Sequence, residues 1–346
     1  MKVLIAYKET EKDNPYVSTL KKALLARGLE VVCSVDDFWL NYKNYDIIHI
    51  QWPECVVNWA MIDEKKYLKI TEHITSIKTF CKIVTTCHNL EPHYSKSEYR
   101  NLLYDYIYSN SNAIIHLGEY SREYFKNELA HIKHYIIPHH IYDDLYHFTI
   151  NQSEARKKLR ISTKANVLLC FGAFRNDEER EMVLNSFEQL KLSSKYLLAP
   201  NFYKFRRNII LDCKKFMKAI YYKFKGMHFI NHNHFISDNE LELYLCAADV
   251  VMIQRKKILN SGNLTLGFLA KKIVIGPNIG NVGRILNEMK NPVFDPNDIL
   301  SVTRTIQEGF RLKDTNLPQK NYEYAMKNWN VAIIACKHIE VYSSIL

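Results

Sequence analysis

The chain has 346 residues, a net charge of +10 and a hydrophobic content of 47%. This length accommodates two globular domains of ordinary size, and no apolar run approaches the roughly 20 residues that cross a bilayer, which excludes a protein with membrane-spanning helices. The excess of lysine and arginine favours an anionic partner, which is a nucleic acid, an anionic lipid or a phosphorylated substrate.

The N-terminal sequence and the cysteines indicate a cytoplasmic protein. MKVLIAYKETEKDNP has a short apolar run followed at once by acidic residues, which predicts a first strand rather than a signal peptide. The eight cysteines form no CxxC pair, and scattered cysteines in such a chain are typical of reduced thiols. We expect neither a structural metal nor disulfides.

Strand-like and helical patterns alternate along the first half. VLIAY (3–7) predicts a buried strand, and the helix after it begins near Asn14 and stops at Gly28. Further elements are predicted in this order: strand YDIIHIQ, a helix to about Phe80, strand KIVTTC, a helix over 95–110, strand AIIHLG, a helix from Ser121 and strand HYIIP. The alternation predicts a parallel sheet covered on both faces.

A polar segment, 151–165, is predicted to be a linker, because the pattern restarts after it with NVLLCFG. The second half then repeats the alternation, and the tail from Pro318 is helical. We therefore predict an α/β protein with two doubly wound, Rossmann-like domains that face each other across a cleft, 1–155 and 156–327. Ligands of such sheets bind beyond the carboxyl ends of the strands.

Half of the glycines crowd into one stretch. LNSGNLTLGFLAKKIVIGPNIGNVG (259–283) contains five of the 10 glycines in the chain. Ser261 is placed to cap a helix whose first N–H groups, on Gly262, Asn263 and Leu264, would form an anion site. Arg255, just upstream, would add positive charge. An ordinary capped helix has the same pattern and remains the alternative.

Two further loops of the second half follow predicted strands. Arg175 comes just after NVLLCFG, where it could reach a phosphate, or pair at the surface with Asp177 or Glu178. Phe235 and Ile236 precede a predicted helix, where an aromatic ring and a backbone edge could hold a flat base. A core phenylalanine is the alternative.

The segments FGAFR, FISDNELELYLCAADVVMIQR and NSGNLTLGFLAKKIVIGP occur in this order. Together they resemble the donor-binding domain of GT-B glycosyltransferases, especially bacterial enzymes that build capsule, exopolysaccharide and O-antigen. The resemblance covers about 110 residues well, and the first half is similar more loosely. The helical tail, from about 328 to 346, resembles the helix that returns to the first domain in this fold.

The resemblance implies a nucleotide diphosphate sugar bound to the second domain without a metal or another cofactor. The implied donor-binding residues are Arg175, Phe235, Ile236, Arg255, Asn260, Ser261, Gly262 and Asn263. Retaining members often carry two glutamates eight residues apart, and the matching positions are Ile258 and Leu266. Whether transfer would retain or invert configuration therefore stays open.

The first domain would bind the acceptor. His88 follows a strand end, where a histidine exchanges a proton or holds a hydroxyl, and members of the group often have a histidine here that contacts the donor sugar. Glu54 is the best carboxylate for a base in an inverting mechanism. The expected acceptor-binding residues are Asn14, Tyr16, Trp52 and His93. A structural histidine, a packed tryptophan and a solvated glutamate are the alternatives.

KFRRNIILDCKKFMKAIYYKFK (204–225) predicts a basic amphipathic helix with eight lysines and arginines. Such a helix can lie on an anionic membrane surface, which suits an enzyme with a lipid-linked acceptor. Its apolar stripe could instead pack on its own domain. The sequence contains no recognisable nucleic-acid module, so we expect no nucleic-acid partner.

Together with these patterns, the resemblance implies a hexosyltransferase that moves a sugar from a nucleotide diphosphate sugar, such as a UDP-sugar, to a saccharide acceptor. The acceptor would be lipid-linked, the product would serve surface polysaccharide such as capsule, and the enzyme would be cytoplasmic or peripheral on the inner membrane face. Two alternatives remain: a sugar-nucleotide epimerase on the same fold, and a non-enzymatic basic protein that binds polyanions.

Overall fold

The structure is a computed structural model that describes residues 1–10, 15–92, 97–192, 194–200, 202, 209–225, 227–228 and 236–346. The chain divides into two compact units. Unit 1 comprises residues 1–140 and 328–346, and unit 2 comprises residues 141–327.

Unit 1 contains a six-stranded parallel sheet. Its elements are β1 (Lys2–Ile5), α1 (Tyr16–Leu25), β2 (Glu30–Cys33), α2 (Val35–Leu40), β3 (Ile47–Ile50), α3 (Glu64–Ile77), β4 (Lys82–Cys87), α4 (Glu98–Ser109), β5 (Ala113–His116), α5 (Glu119–Phe125) and β6 (Lys133–Ile136). The strand order is β2-β1-β3-β4-β5-β6. Because the chain runs from β1 out to β2 and then back to β3 on the other side, the switch point of the sheet lies between β1 and β3.

Unit 2 contains a second parallel sheet of six strands. Its elements are α6 (Gln152–Lys158), β7 (Asn166–Leu169), α7 (Asp177–Glu188), β8 (Lys195–Leu198), α8 (Ile209–Lys223), β9 (Met227–His228), α9 (Asp238–Ala247), β10 (Val250–Met252), α10 (Gly262–Leu269), β11 (Ile273–Pro277), α11 (Gly280–Glu288), β12 (Val293–Phe294), α12 (Ile299–Leu312) and α13 (Leu317–Asn328). The strand order is β12-β11-β10-β7-β8-β9, which puts the switch point between β7 and β10. The predicted pair of Rossmann-like α/β folds is thus confirmed, one in each unit.

Buried strands explain why both sheets are covered. Every residue of β3 (IIHI) and of β5 (AIIH) is buried, as expected for parallel strands that carry helices on both faces. In unit 1, one core contains Leu20 of α1, and a second core on another set of helices contains Phe38 and Ile70. Burial of a side chain of this size contributes about 1.5–3 kcal/mol.

The last helix, α14 (Val331–Ile345), belongs to unit 1. Ile334 and Tyr342 share a core cluster with Val3 of β1 and Leu20 of α1. Asn330 caps the helix by accepting the backbone N–H of Ala332 at 2.9 Å. The carboxyl-terminal residues therefore complete the core built by the amino-terminal strand.

The segment predicted to be a linker, 151–165, contains helix α6, so that prediction is wrong. Asn151 caps α6, and Arg156 on its inner face is buried. The Arg156 guanidinium pairs with the Asp249 carboxylate at 2.8 Å and donates to the carbonyl of Ala247 at 3.0 Å. The Asp249 carboxylate compensates the charge of this buried arginine, so the polar segment packs against unit 2 through Arg156.

Within the ranges that the structure describes, no helix combines the length and the apolar character needed to cross a membrane.

Candidate functional site

The loops at the switch point of unit 2 contain four of the eight predicted donor-binding residues, and the start of α10 contains two more. Residues 170–176 follow β7, and residues 253–261 follow β10, the strand beside it in the sheet. Open parallel sheets bind ligands beyond the carboxyl ends of their strands at such a point. This edge of unit 2 is therefore the candidate donor site.

A buried carboxylate joins the two predicted arginines. Oε2 of Glu179 accepts the backbone N–H of Arg175 at 2.9 Å and pairs with Nη1 of Arg255 at 2.8 Å. Nη2 of Arg255 also donates to the carbonyl of Ala173 at 2.9 Å. Glu179 thus holds the loop after β7 and the loop after β10 together, a role that the sequence analysis missed.

The Arg175 side chain is exposed, and its Nη1 donates to the carbonyl of Lys257 at 3.1 Å. The two acidic residues considered as its partners are paired elsewhere, Asp177 with Arg180 and Glu178 with Lys256. A carbonyl partner leaves the charge of the guanidinium uncompensated, so Arg175 presents positive charge at the edge of the sheet.

Gly172 lies where these loops come closest. Its φ of +87° is in the left-handed region that favours glycine, and a Cβ there would lie 3.8 Å from both Nη2 of Arg255 and Nδ2 of Asn263. Nδ2 of Asn263 donates to the carbonyl of Phe171 at 2.9 Å. The side chains of Arg255 and Asn263 therefore flank the same short stretch of backbone.

Helix α10 begins with the predicted cap. Oγ of Ser261 accepts the N–H of Asn263 at 3.3 Å, and the carbonyl of Ser261 accepts the N–H of Leu264 at 3.2 Å. Two of the three N–H groups predicted to face an anion thus already have long, weak bonds within the helix start. An anionic ligand would meet Gly262 first and would have to displace these bonds to recruit the others.

Four of the five glycines of the 259–283 stretch serve packing rather than a ligand. A Cβ on each would lie too close to a neighbour: 2.4 Å from Val274 for Gly267, 3.0 Å from Leu286 for Gly276, 2.6 Å from the carbonyl of Ile258 for Gly280, and 2.6 Å from Asn278 for Gly283. Gly280 and Gly283 belong to the first turn of helix α11.

Asn260 directly precedes the cap of α10, and Ile236 directly precedes the cap of α9. Nδ2 of Asn281 on α11 donates to Oδ1 of Asn260 at 2.8 Å, which ties the loop after β10 to that helix. Ile236 is half-buried just before Ser237, the residue that caps α9. Three predicted site residues lie outside the described residues: Asn14, His93 and Phe235.

In unit 1, His88 follows β4, and Gln51 and Trp52 follow β3, the adjacent strand. The Trp52 ring stacks on the His88 imidazole, with centroids 4.1 Å apart and planes at 17°. Nε2 of His88 lies 2.9 Å from Oε1 of Gln51. Because an amide oxygen only accepts, Nε2 carries the hydrogen, and in the neutral ring Nδ1 then carries the lone pair.

A buried polar chain continues behind Gln51. Nε2 of its amide lies 3.2 Å from Nε2 of His49, which in turn lies 2.8 Å from Oγ1 of Thr86. Nδ1 of His49 lies 2.7 Å from the hydroxyl of Tyr342 on α14. The orientation of His88 is therefore connected, bond by bond, to the last helix of the chain.

Three buried histidines of unit 1, His88, His139 and His338, lie in surroundings that disfavour charge. Burial, and after it the nearby imidazoles of His139 and His49, lower the pKa of His88 well below its ordinary value. Burial likewise lowers the pKa of His139 to about 3 and that of His338 to about 4. His88 is consequently neutral near pH 7, which suits it to a neutral hydrogen bond with a hydroxyl.

Tyr16 supports this cluster from inside unit 1. It is 1% exposed, its ring stacks on His140 with centroids 4.6 Å apart, and it meets His88 edge-on at 4.9 Å. Burial raises the pKa of its hydroxyl above the ordinary value. This environment favours a packing role for Tyr16 over the predicted contact with an acceptor.

Glu54 lies inside unit 1, in a short 3₁₀ helix over Pro53–Val57. It is 2% exposed, and its Oε2 accepts the hydroxyl of Tyr104 on α4 at 2.9 Å. Burial raises the pKa of the carboxyl. The carboxylate faces α4, whereas the His88 imidazole faces Gln51 and Trp52, so the geometry favours a structural role for the predicted base.

A cavity of about 60 Å³ opens beyond the carboxyl end of β1 and is lined by Tyr7, Lys8, Thr10, Cys55, Asn58 and Trp59. Trp59 is exposed and has a φ of 62°, in the left-handed region that costs a non-glycine residue energy. The rings of Trp52 and Trp59 lie 6.3 Å apart. A cavity of this volume holds about two water molecules. It is therefore a small indentation beside the rings of Trp52 and Trp59.

Four participants were missed by the sequence analysis, namely Glu179, Gln51, His49 and Trp59. Gln51 and His49 carried a signal, since both belong to the strand and strand end YDIIHIQ. Glu179 carried none, because in NDEER it looks like one of three surface acids at a helix start. Trp59 was missed because it lies further along the chain than Trp52 and Glu54, the residues of this segment that the sequence analysis considered.

No protein-family model matches the chain, and no curated protein does. Solved structures match it over its whole length. Sucrose-phosphate synthase from Thermosynechococcus elongatus is 14% identical at a TM-score of 0.74, with 99% of this chain and 98% of that one covered. HepE from Anabaena, in complex with UDP-glucose, is 12% identical at 0.74, with 99% and 100% covered.

A third match is WaaG, a glycosyltransferase involved in lipopolysaccharide biosynthesis, which is 12% identical at a TM-score of 0.65, with 99% and 100% of the two chains covered. These structures share the two parallel α/β sheets of this chain. The fold is GT-B. At such identities the GT-B likeness establishes the fold alone, and the chemistry has to be argued from the site.

Among the described residues, no group of three or more histidine, cysteine, aspartate or glutamate side chains is arranged to hold a metal ion.

Proposed function

We propose that the protein is a glycosyltransferase whose unit 2 binds a nucleotide diphosphate sugar and whose unit 1 binds a saccharide acceptor. One observation carries the proposal. The switch point of unit 2 brings the exposed guanidinium of Arg175, the Glu179-held guanidinium of Arg255 and the start of α10 into one loop cluster. Cations and a helix start at the ends of parallel strands form a diphosphate site.

The chemistry of sugar transfer uses such a site at the leaving group. When the bond between the sugar and the diphosphate breaks, negative charge grows on the phosphate oxygens. Fixed N–H donors and guanidinium groups near those oxygens stabilise the transition state more than the ground state. We assign this role to Arg175, Arg255 and the N–H of Gly262, and we expect the site to work without a metal ion.

Glu179 is the residue that preorganises this site. A buried carboxylate holds Arg255 at 2.8 Å and the backbone of Arg175 at 2.9 Å before any ligand arrives. The pairing removes part of the charge of Arg255, so Arg175 is expected to supply the larger share of the attraction. Preorganisation lowers the cost of ordering the loop on binding.

In unit 1, we propose that neutral His88 holds a sugar hydroxyl. Gln51 fixes the hydrogen on its Nε2, and Trp52 fixes its plane. The low pKa that burial gives His88 fits a hydrogen-bonding role at neutral pH better than that of a cation.

The finer assignment rests on the resemblance and on the solved structures. HepE is described in complex with UDP-glucose, so a UDP-sugar is the first donor to test. WaaG is described as acting in lipopolysaccharide biosynthesis, which supports our proposal of a lipid-linked acceptor in surface polysaccharide assembly. We further propose that the enzyme is cytoplasmic and peripheral on the inner membrane face.

Replacement of Arg175 tests the donor site most cleanly. Arg175→Ala removes an exposed guanidinium whose described partner is a backbone carbonyl, so the fold should tolerate it. Charge-assisted hydrogen bonds contribute about 1.5–3 kcal/mol, so affinity for UDP, measured by titration calorimetry, should fall about 10-fold to 100-fold.

Arg304→Ala is the matched control, because Arg304 is an exposed arginine of unit 2 on α12. It should bind UDP like the wild type. Equal affinity of Arg175→Ala and the wild type for every nucleotide that binds would overturn the assignment of the phosphate site. Steeply salt-dependent binding of nucleic acid, together with indifference to nucleotides, would instead favour a polyanion-binding protein.

A further inference from the structure

Helix α8 presents an apolar face to solvent. Four large side chains on it are exposed, and so is Phe224 directly after its last residue: Phe216 (61%), Met217 (70%), Ile220 (43%), Tyr221 (55%) and Phe224 (88%). At 100° per residue these positions fall in one sector of the helix. Monomeric soluble proteins rarely leave so many large apolar groups together at the surface, and such patches mark interaction sites.

The opposite side of α8 is the one that packs. Tyr222 lies against the hydrophobic core of unit 2, and it projects about 160° from the direction of Ile220 on the helix. The sequence left open whether the apolar stripe of this helix packs on its own domain. In the structure Tyr222 makes that contact, and Phe216, Ile220 and Phe224 point the other way.

Lysines border the apolar face on both sides. Lys214 and Lys218 are exposed along one border, and Lys223 is exposed along the other. Lys225, beside the first two, pairs with Glu188 and lies 4.6 Å from the ring centre of Tyr221. An apolar sector flanked by lysines complements the surface of an anionic bilayer, in which acyl chains lie below anionic headgroups.

We propose that α8 is a membrane-docking helix that lies in the interface of an anionic lipid bilayer. Phe216, Ile220 and Phe224 enter the boundary between headgroups and acyl chains, and Lys214, Lys218 and Lys223 contact lipid phosphates. The inference does not depend on the proposed sugar transfer, since it concerns where the protein sits rather than what its loops bind.

The test uses vesicles of phosphatidylcholine with 30% phosphatidylglycerol, and vesicles of phosphatidylcholine alone, in a flotation assay with the full-length protein. The fraction of wild-type protein that floats should be about tenfold or more higher with the anionic vesicles than with the neutral ones. High salt should lower the fraction that floats with the anionic vesicles. Phe216→Ser/Phe224→Ser and Lys214→Gln/Lys218→Gln should each lower the bound fraction at least about tenfold.

Leu40→Ser/Leu300→Ser is the matched control, because it removes two exposed leucines from α2 and α12, and it should float like the wild type. UDP affinity, measured on the same preparations, should be equal in all variants, so a failed donor site and a failed docking helix are distinguishable. Equal flotation of the α8 variants and the wild type would overturn the proposal. The absence of wild-type flotation with anionic vesicles would also overturn it.

Discussion

Glu54 and Glu179 illustrate how the partners of a buried carboxylate decide what it does. Both follow a strand-end loop, and both are 2% exposed. Glu179 accepts from two elements of the candidate donor site, whereas Glu54 accepts from the hydroxyl of Tyr104 on α4. The first residue shapes the loops where a ligand is proposed, and the second holds a 3₁₀ helix against the body of unit 1.

Glu54→Gln separates a structural role from that of a base. An amide keeps the acceptor for the Tyr104 hydroxyl, so we expect turnover within about threefold of wild type and a loss of stability near 1 kcal/mol. Loss of a general base would reduce turnover about 100-fold or more. Turnover with the donor that binds, and thermal melting, are the measurements, with exposed Glu72→Gln as the control. A hundredfold loss of turnover in a folded variant would restore Glu54 as the base.

At the scale of elements, the packing of α11 against the loop after β10 sets the shape of the candidate donor site. Gly280 begins α11 with a φ of +61°, and a Cβ there would lie 2.6 Å from the carbonyl oxygen of Ile258. The N–H of Asn281 donates to the carbonyl of Leu259 at 3.0 Å. The helix start and the loop thus fit together only because one residue has no side chain.

Gly280→Ala should therefore destabilise unit 2 and weaken UDP binding together. Gly28→Ala is a matched control, since Gly28 has a φ of +81° but nothing within 4 Å of its added Cβ. The backbone term alone costs about 1 kcal/mol, and the clash should bring the cost at Gly280 to roughly 2–4 kcal/mol. Thermal melting and calorimetry provide the comparison. Equal melting temperatures for the two variants would contradict this account of the packing.

The elements also show what a sequence can and cannot predict. The strands were predictable because buried runs such as VLIAY and KIVTTC need no knowledge of their partners. Arg175 and Arg255 could be proposed because they lie in the loops after two such strands of unit 2, β7 and β10. Helix α6 was missed because its one buried charge, Arg156, meets Asp249 across 93 positions of sequence. No local pattern contains such a pairing.

At the scale of the whole molecule, unit 1 depends on histidines that are buried in the neutral state. His338 is fully buried on α14, near His49 on β3, and burial lowers its pKa to about 4. The ordinary pKa near 6.5 applies to the unfolded chain, which therefore binds more protons than the folded chain between about pH 6.5 and pH 4. Stability is full above pH 6.5 and falls as the pH falls through this window.

His338→Leu should make unit 1 less sensitive to acid. The buried histidine lowers the free energy of unfolding by about 2 kcal/mol between pH 7 and pH 5. A leucine at this position causes no such loss. All four tryptophans, Trp39, Trp52, Trp59 and Trp329, lie in unit 1, so their fluorescence during urea unfolding at pH 7 and pH 5 reports on it directly. Exposed His131→Leu is the control. An unchanged loss of stability between the two pH values in His338→Leu would contradict the prediction.

The central claim is that the loops at the switch point of unit 2 bind a nucleoside diphosphate. The most direct measurement is the thermal stability of the wild-type protein with UDP, GDP, CDP, ADP and dTDP and their sugars, without added metal. A ligand at 100 times its dissociation constant stabilises the folded state by about 2.7 kcal/mol. We predict a clear rise in melting temperature with one nucleoside diphosphate and its sugar, UDP being the first expected. No rise with any member of the panel would contradict the claim.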